Sequence, residues 1–94
     1  MNNYEKKYDS LLGQAHVANL LLLLLDKGEI IASQLRLVLK NYAKIASVAK
    51  KLEDEGLIKI RTESSPRISY IYSLTERGKA VAEKLREIEE ILNE

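Results

Sequence analysis

The sequence predicts a mainly helical α+β domain with one small β-hairpin, and three observations predict it. Four stretches carry apolar residues at helical spacing. Between the third and the fourth the period drops to two, over "LIKIRTE" and "RISYIYSL", with "SSP" separating them. Glycines and a threonine punctuate these runs where helices stop and start: Gly28, Gly56 and Thr75. The 94 residues form one domain, 1–94, with no linker, internal repeat or second composition class.

The first helix is expected over about residues 3–26. Tyr4, Tyr8, Leu11, Ala15, Ala18, Leu22 and Leu25 step by 4, 3, 4, 3, 4 and 3. That is a heptad seam, the repeat of helices that pack along their length. Asn2 or Asn3 can cap its start. Gly13 lies off the seam and weakens the helix by about 1 kcal/mol relative to alanine. The helix ends in six consecutive leucines, Leu20 to Leu25. Six residues at about 100° each go all the way round a helix, so this end is apolar on every side. A membrane span needs about 20 apolar residues. Here Asn19 and His16 interrupt the run on one side and "DKG" closes it on the other, so no membrane is expected. No secretory leader is expected either, because "DKGE" and a patterned chain follow the leucines, and a cytoplasmic protein is expected. Protein must then cover the leucines from two directions.

The remaining elements follow in order. "EII" at 29–31 is short and β-branched enough for a brief strand. Ser33 reads as the cap of a short helix whose apolar face is Leu35, Val38 and Leu39. Asn41 can end that helix and cap the next, "YAKIASVAKKLEDEG". Its Ile45, Val48, Ala49 and Leu52 stand at i, i+3, i+4 and i+7, and Gly56 stops it. The hairpin follows, with Pro66 in its turn region. Thr75 caps a last helix, about 75–92, with a seam of Val81, Leu85, Ile88 and Leu92. Two short helices joined by a tight turn and followed by a hairpin make a winged helix-turn-helix. In that plan the second of the short helices enters a major groove.

Charge agrees with this plan. Net charge is only +1, yet from Ile30 to Leu52 there are five basic residues and no acidic one. All 14 acids lie in the other 71 residues. A basic middle between acidic ends marks one polyanion-binding face. With the apolar stripe turned inward, Tyr42, Ala43, Lys44, Ala46, Ser47, Lys50 and Lys51 are the candidate DNA-facing residues of the recognition helix. Lys44 can donate to guanine, Ser47 to several base edges, and Ala43 or Ala46 can meet a thymine methyl. Ser33, Arg36, Lys40, Lys50 and Lys51 suit phosphates, which position without specifying sequence. Arg67, beside Pro66 at the wing tip, suits the minor groove or a phosphate, with Lys59 and Arg61 assisting. No Arg, Asn or Gln stands between Tyr42 and Glu55, so bidentate base reading is limited and modest specificity is expected.

"KKLEDEGLIKI", a hairpin and "YSLTERGKAVAEKL" together resemble the winged-helix regulators of the MarR and PadR kind. "GEIIASQL" is similar to the opening of their second helix. The resemblance covers roughly Glu29 to Leu85. It implies a homodimer on a near-palindromic double-stranded DNA site, with transcriptional regulation, most simply repression, as the role. The seams of the first and last helices, from Tyr4 to Leu25 and from Val81 to Leu92, are the expected dimer interface. The alternative within one chain is that the two seams close on each other.

Other classes are less well supported. No nucleophile, base and orienter set is present, nor a glycine-rich phosphate loop, so no enzyme is expected. With no cysteine and one histidine, no metal site or cofactor is expected. A winged helix can serve as a protein-interaction module without DNA, but the acid-free stretch argues against that. Small archaeal plasmid and viral partition proteins resemble this size and plan. They would use the same DNA-binding face and add a partition adaptor or motor protein as partner.

Overall fold

The computed structural model describes residues 10–38 and 42–94, apart from the side chains of 36–38 and 42. Its helices are α1 (Val17–Lys27), α2 (Ala32–Val38), α3 (Tyr42–Asp54) and α4 (Glu76–Leu92). Its strands are β1 (Glu29–Ile31), β2 (Ile58–Glu63) and β3 (Ser69–Leu74). The order is the expected winged helix-turn-helix order, and the short run at 29–31 is a true strand. The sheet is antiparallel in the order β1-β3-β2, with Ile30 and Ile60 both opposite Tyr72.

The first helix departs from expectation. Instead of one helix from about residue 3, a single 3-10 turn, Leu11–Gly13, precedes α1. Ser10 caps that turn by accepting the Leu12 amide at 3.1 Å, so Ser10 takes the capping role here. Gln14 is then extended, and His16 stands in the left-handed region at φ 69°. The heptad count runs across this break, so Leu11 and Ala15 do not share a helix with Leu22 and Leu25. Tyr4, Tyr8, Asn2 and Asn3 lie outside the described residues.

The leucine run is covered within the chain. Leu20, Leu21 and Leu24 have no exposed surface, Leu22 is buried, and Leu23 and Leu25 pack half-buried on the core. Helix α1 touches α4, α3, β1 and β3, which is cover from more than one direction. Burying a leucine contributes roughly 1.5–3 kcal/mol, so this helix is a large share of the core. Arg86 of α4 donates to Asp26 at 2.5 Å and ties the carboxyl end of α1 to α4. Gly28, at φ 82°, ends α1, with its amide on the Leu24 carbonyl at 2.9 Å.

Ser33 is not the cap of α2. The helix begins at Ala32, two residues earlier than a Ser33 cap requires, and the Gln34 side chain reaches back to accept the Ile31 amide at 3.2 Å. This is half of a capping box, with glutamine at the third helical position in the usual role. Helix α3 turns Ile45, Ala49 and Leu52 fully inward and half-buries Val48, as its spacing predicts.

Helix α4 is held at its start by its own cap and by two side-chain hydrogen bonds to the turn after α3. Thr75 Oγ1 accepts the Gly78 amide at 2.9 Å and donates to the Gly56 carbonyl at 2.7 Å. Arg77 Nη1 donates to the Glu55 carbonyl at 2.9 Å. Gly78 lets the helix backbone approach the turn. A Cβ there would stand 1.8 Å from the Leu57 carbonyl oxygen.

Gly78→Ala therefore forces backbone apart and is expected to cost about 1–3 kcal/mol or more, the range for overpacking. Gly13→Ala, where a Cβ meets nothing within 4 Å, is the matched control and is expected to be neutral or slightly stabilising. Urea unfolding of the two variants checks the pair. Equal midpoints for both would remove the close approach as a structural constraint.

Candidate nucleic-acid interface

The inward stripe of α3 leaves Ala43, Lys44, Ser47, Lys50 and Lys51 exposed, while Ala46 is half-buried. The helix thus presents three ammonium groups, a hydroxyl and small apolar side chains to solvent. The side chains of Arg36 and Tyr42, and Lys40 as a whole, lie outside the described residues.

The three lysines are held differently. Lys50 Nζ donates to Glu53 at 2.9 Å and lies 3.7 Å from Asp54. The hydrogen bond and charge of Glu53, followed by the charge of Asp54, raise its pKa above the ordinary lysine value. The Lys50 charge is therefore partly committed to its own helix. Lys51 Nζ donates to the side-chain carbonyl of Gln14 at 2.5 Å, across 37 positions of sequence. Lys44 has no carboxylate partner among the described residues.

On the sheet, Arg61 lies 3.6 Å from Glu29 and 3.4 Å from Glu63. Lys59 is exposed on the same face of β2, two residues away. Arg67 is exposed at the wing, with no ion pair among the described residues. The structure brings it together with Ser33, across a notch of about 280 Å³ whose other walls include Ile31, Ile68 and Tyr70. Ser33, not a cap, is thus an exposed hydroxyl at the first turn of α2, near the wing.

A second, larger groove of about 570 Å³ runs between α3 and the segment just before α1. Gln14 and His16 stand on one wall, and Lys44, Ser47 and Lys51 on the other. Gln14 is not legible as part of it from the sequence, because a continuous first helix hides the groove. Ile68 and Tyr70, 65% and 48% exposed, were likewise missed as part of the wing surface.

The expected interface between subunits divides in two. Leu22 is buried and Leu25, Val81 and Leu85 pack on the chain's own core, so α1 and the first half of α4 close on each other. Ala15 is exposed outside any helix, and Ala18 is half-buried on α1. Farther along α4, Ile88, Ile91 and Leu92 are 50%, 66% and 73% exposed. Their spacing of i, i+3 and i+4 makes one apolar stripe, which includes Ile91, absent from the predicted seam.

Among the described residues no group of three metal-ligating side chains forms, and no helix is long and apolar enough to cross a membrane. What the elements define is a winged helix-turn-helix domain with a basic outer face on its second short helix. Solved structures of transcriptional regulators share this fold. A transcriptional regulator homologue from Pyrococcus horikoshii OT3 superposes with a TM-score of 0.78 at 21% identity, over 96% of this chain and 92% of that one. The ytfH protein of Salmonella typhimurium gives 0.77 at 19%, over 95% and 80%. The reduced form of the transcriptional regulator YodB from B. subtilis gives 0.70 at 22%, over 95% and 88%. No family model and no curated protein matches the chain.

Proposed function

We propose that this protein is a double-stranded DNA-binding transcriptional regulator, acting as a homodimer on a near-palindromic site, most simply as a repressor. One observation carries the reading. The outer face of α3 is basic, small-featured and free of acids from its first turn through Lys51, and Arg67 stands exposed at the wing. Lys44, with no competing carboxylate, is the best placed base-edge or backbone contact near the helix start. Lys51 serves a phosphate, as do Ser33 and Arg67 from the notch. Lys50 contributes less than its exposure suggests, because Glu53 and Asp54 already hold it. Arg61 is discounted for the same reason. The likeness to regulator structures supports the class of function and leaves the site to this chain's own residues.

The dimer rests on the stripe of Ile88, Ile91 and Leu92. Large apolar groups at adjacent positions on a helix end favour a second copy of that helix over water. A two-fold pairing there presents two copies of α3 to half-sites about one duplex turn apart. Specificity is modest, because the helix carries no forked reader. It rests on DNA shape, the wing and the doubling of half-sites.

Two measurements check this reading. Fluorescence anisotropy compares the duplex upstream of the protein's own gene with a scrambled one at several salt concentrations. Tighter upstream binding is expected, with a steep fall as salt rises. Lys44→Ala is expected to weaken it about tenfold, as for a charged hydrogen bond. The same variant lowers the salt slope by about 0.9 if the contact is a phosphate. Arg61→Ala is expected to do much less. No binding to either duplex at low salt would sink the DNA reading. Separately, sedimentation equilibrium at micromolar concentration is expected to show a dimer that Ile91→Glu converts to monomer. A wild-type monomer would remove the dimer.

A further inference from the structure

The groove of about 570 Å³ beside α3 is bordered on one side by the proposed contacts Lys44 and Ser47 and has no occupant assigned so far. Its charge is unbalanced. Lys44, Lys50 and Lys51 border it against one carboxylate, Asp54, which already lies 3.7 Å from Lys50. Lys44, Ser47 and Lys51 stand at i, i+3 and i+7, so they form one stripe along the helix. Lys44 and Lys51 are two turns, or about 10.5 Å, apart along the axis. Facing this stripe are two side chains that can donate hydrogen bonds, the Gln14 amide and the His16 imidazole. Gln14 is already joined to Lys51 at 2.5 Å, so the two walls are registered with each other. Lysine ammonium groups on one side and hydrogen-bond donors on the other suit a phosphodiester oxygen pair. The groove also flanks the face of α3 that carries the proposed base contacts. A strand bordering the major groove that received α3 would pass along it.

We infer that this groove seats a DNA backbone phosphate, with Gln14 and His16 as positioning residues opposite Lys44 and Lys51. The inference rests on the DNA-binding reading and adds the segment before α1 to the interface. Gln14 and His16 fix the register of α3 on the duplex. They carry no sequence information of their own.

The test uses the full chain and a set of duplexes in which one phosphate at a time is a neutral methylphosphonate. Gln14→Ala changes only a side chain, and His16→Asn keeps a residue type that tolerates the left-handed backbone. Circular dichroism melts establish that each variant is folded. In the wild type, one methylphosphonate position beside the α3 contact is expected to weaken binding. The Gln14→Ala/His16→Asn pair is expected to bind roughly three- to tenfold more weakly on specific and scrambled duplexes alike, as for lost hydrogen bonds. The sensitive methylphosphonate then costs that pair much less than it costs the wild type. Wild-type affinity in the variants, or full sensitivity to every methylphosphonate, would overturn the inference. A titration with inorganic phosphate, followed through the His16 ring resonances, separates the other source of the same chemistry. Tight phosphate binding with unaltered DNA binding in the variants would make this a free-anion site and overturn the assignment to DNA. If the wild type binds no duplex at all, the DNA-binding reading itself has failed.

Discussion

The direction in which α3 points depends on a small latch between Gly56-Leu57 and Thr75–Gly78. Gly56 turns the chain at φ 78°, and the Leu57 amide closes back on the Leu52 carbonyl at 2.9 Å. The Leu57 carbonyl in turn accepts the Thr75 amide at 3.1 Å. Thr75 caps α4 and holds the Gly56 carbonyl, and Arg77 holds the carbonyl of Glu55. The end of α3, the start of β2, the end of β3 and the start of α4 therefore meet within a few residues. Any rotation of α3 relative to the wing must break this set of bonds. The close approach at Gly78 makes the arrangement intolerant of a larger residue. The two motifs that carry the family resemblance, "EDEGLI" and "LTERG", are the two halves of this latch.

The leucine run supplies the other constraint. It lies under α3 and against α4 at once, so it joins the helix that would meet DNA to the helix that would meet a second subunit. This explains why the run goes all the way round the helix. A one-sided stripe would satisfy only one neighbour. On α4 itself, the exposed apolar side chains are confined to the last turns, beyond the reach of α1. Ile88, Ile91 and Leu92 are what the leucines do not cover.

Much of the architecture was legible because it is local. The inward stripe of α3, the hairpin, the glycine stops and the Thr75 cap each follow from residues within a few positions of one another. The break at 14–16 was not legible, because a heptad count passes through it without a mismatch. Gly13 hinted at weakness but not at where the helix would restart. The start of α2 was misplaced by two residues because Ser33 outranks Ile31 as a cap, whereas Gln34 supplied the hydrogen bond from inside the helix. For the site, exposure of Lys44, Ser47, Lys50 and Lys51 could be read from periodicity. Their availability could not. That depends on Glu53 and Asp54 for Lys50, on Glu29 and Glu63 for Arg61, and on Gln14 for Lys51. The first is a near neighbour effect that the sequence carries openly. So is the Arg61 pair with Glu63 on its own strand, whereas Arg61–Glu29 and Lys51–Gln14 are made by the fold, the latter across 37 residues.

We propose that α3 and the wing together form the DNA-contacting face. An amide-resolved NMR titration of the labelled protein with a short duplex tests it most directly. Shifts are expected at residues 14–16, 33, 43–51 and 64–70, with the end of α4 unmoved. Shifts centred on α4, or spread evenly with α3 silent, would contradict it.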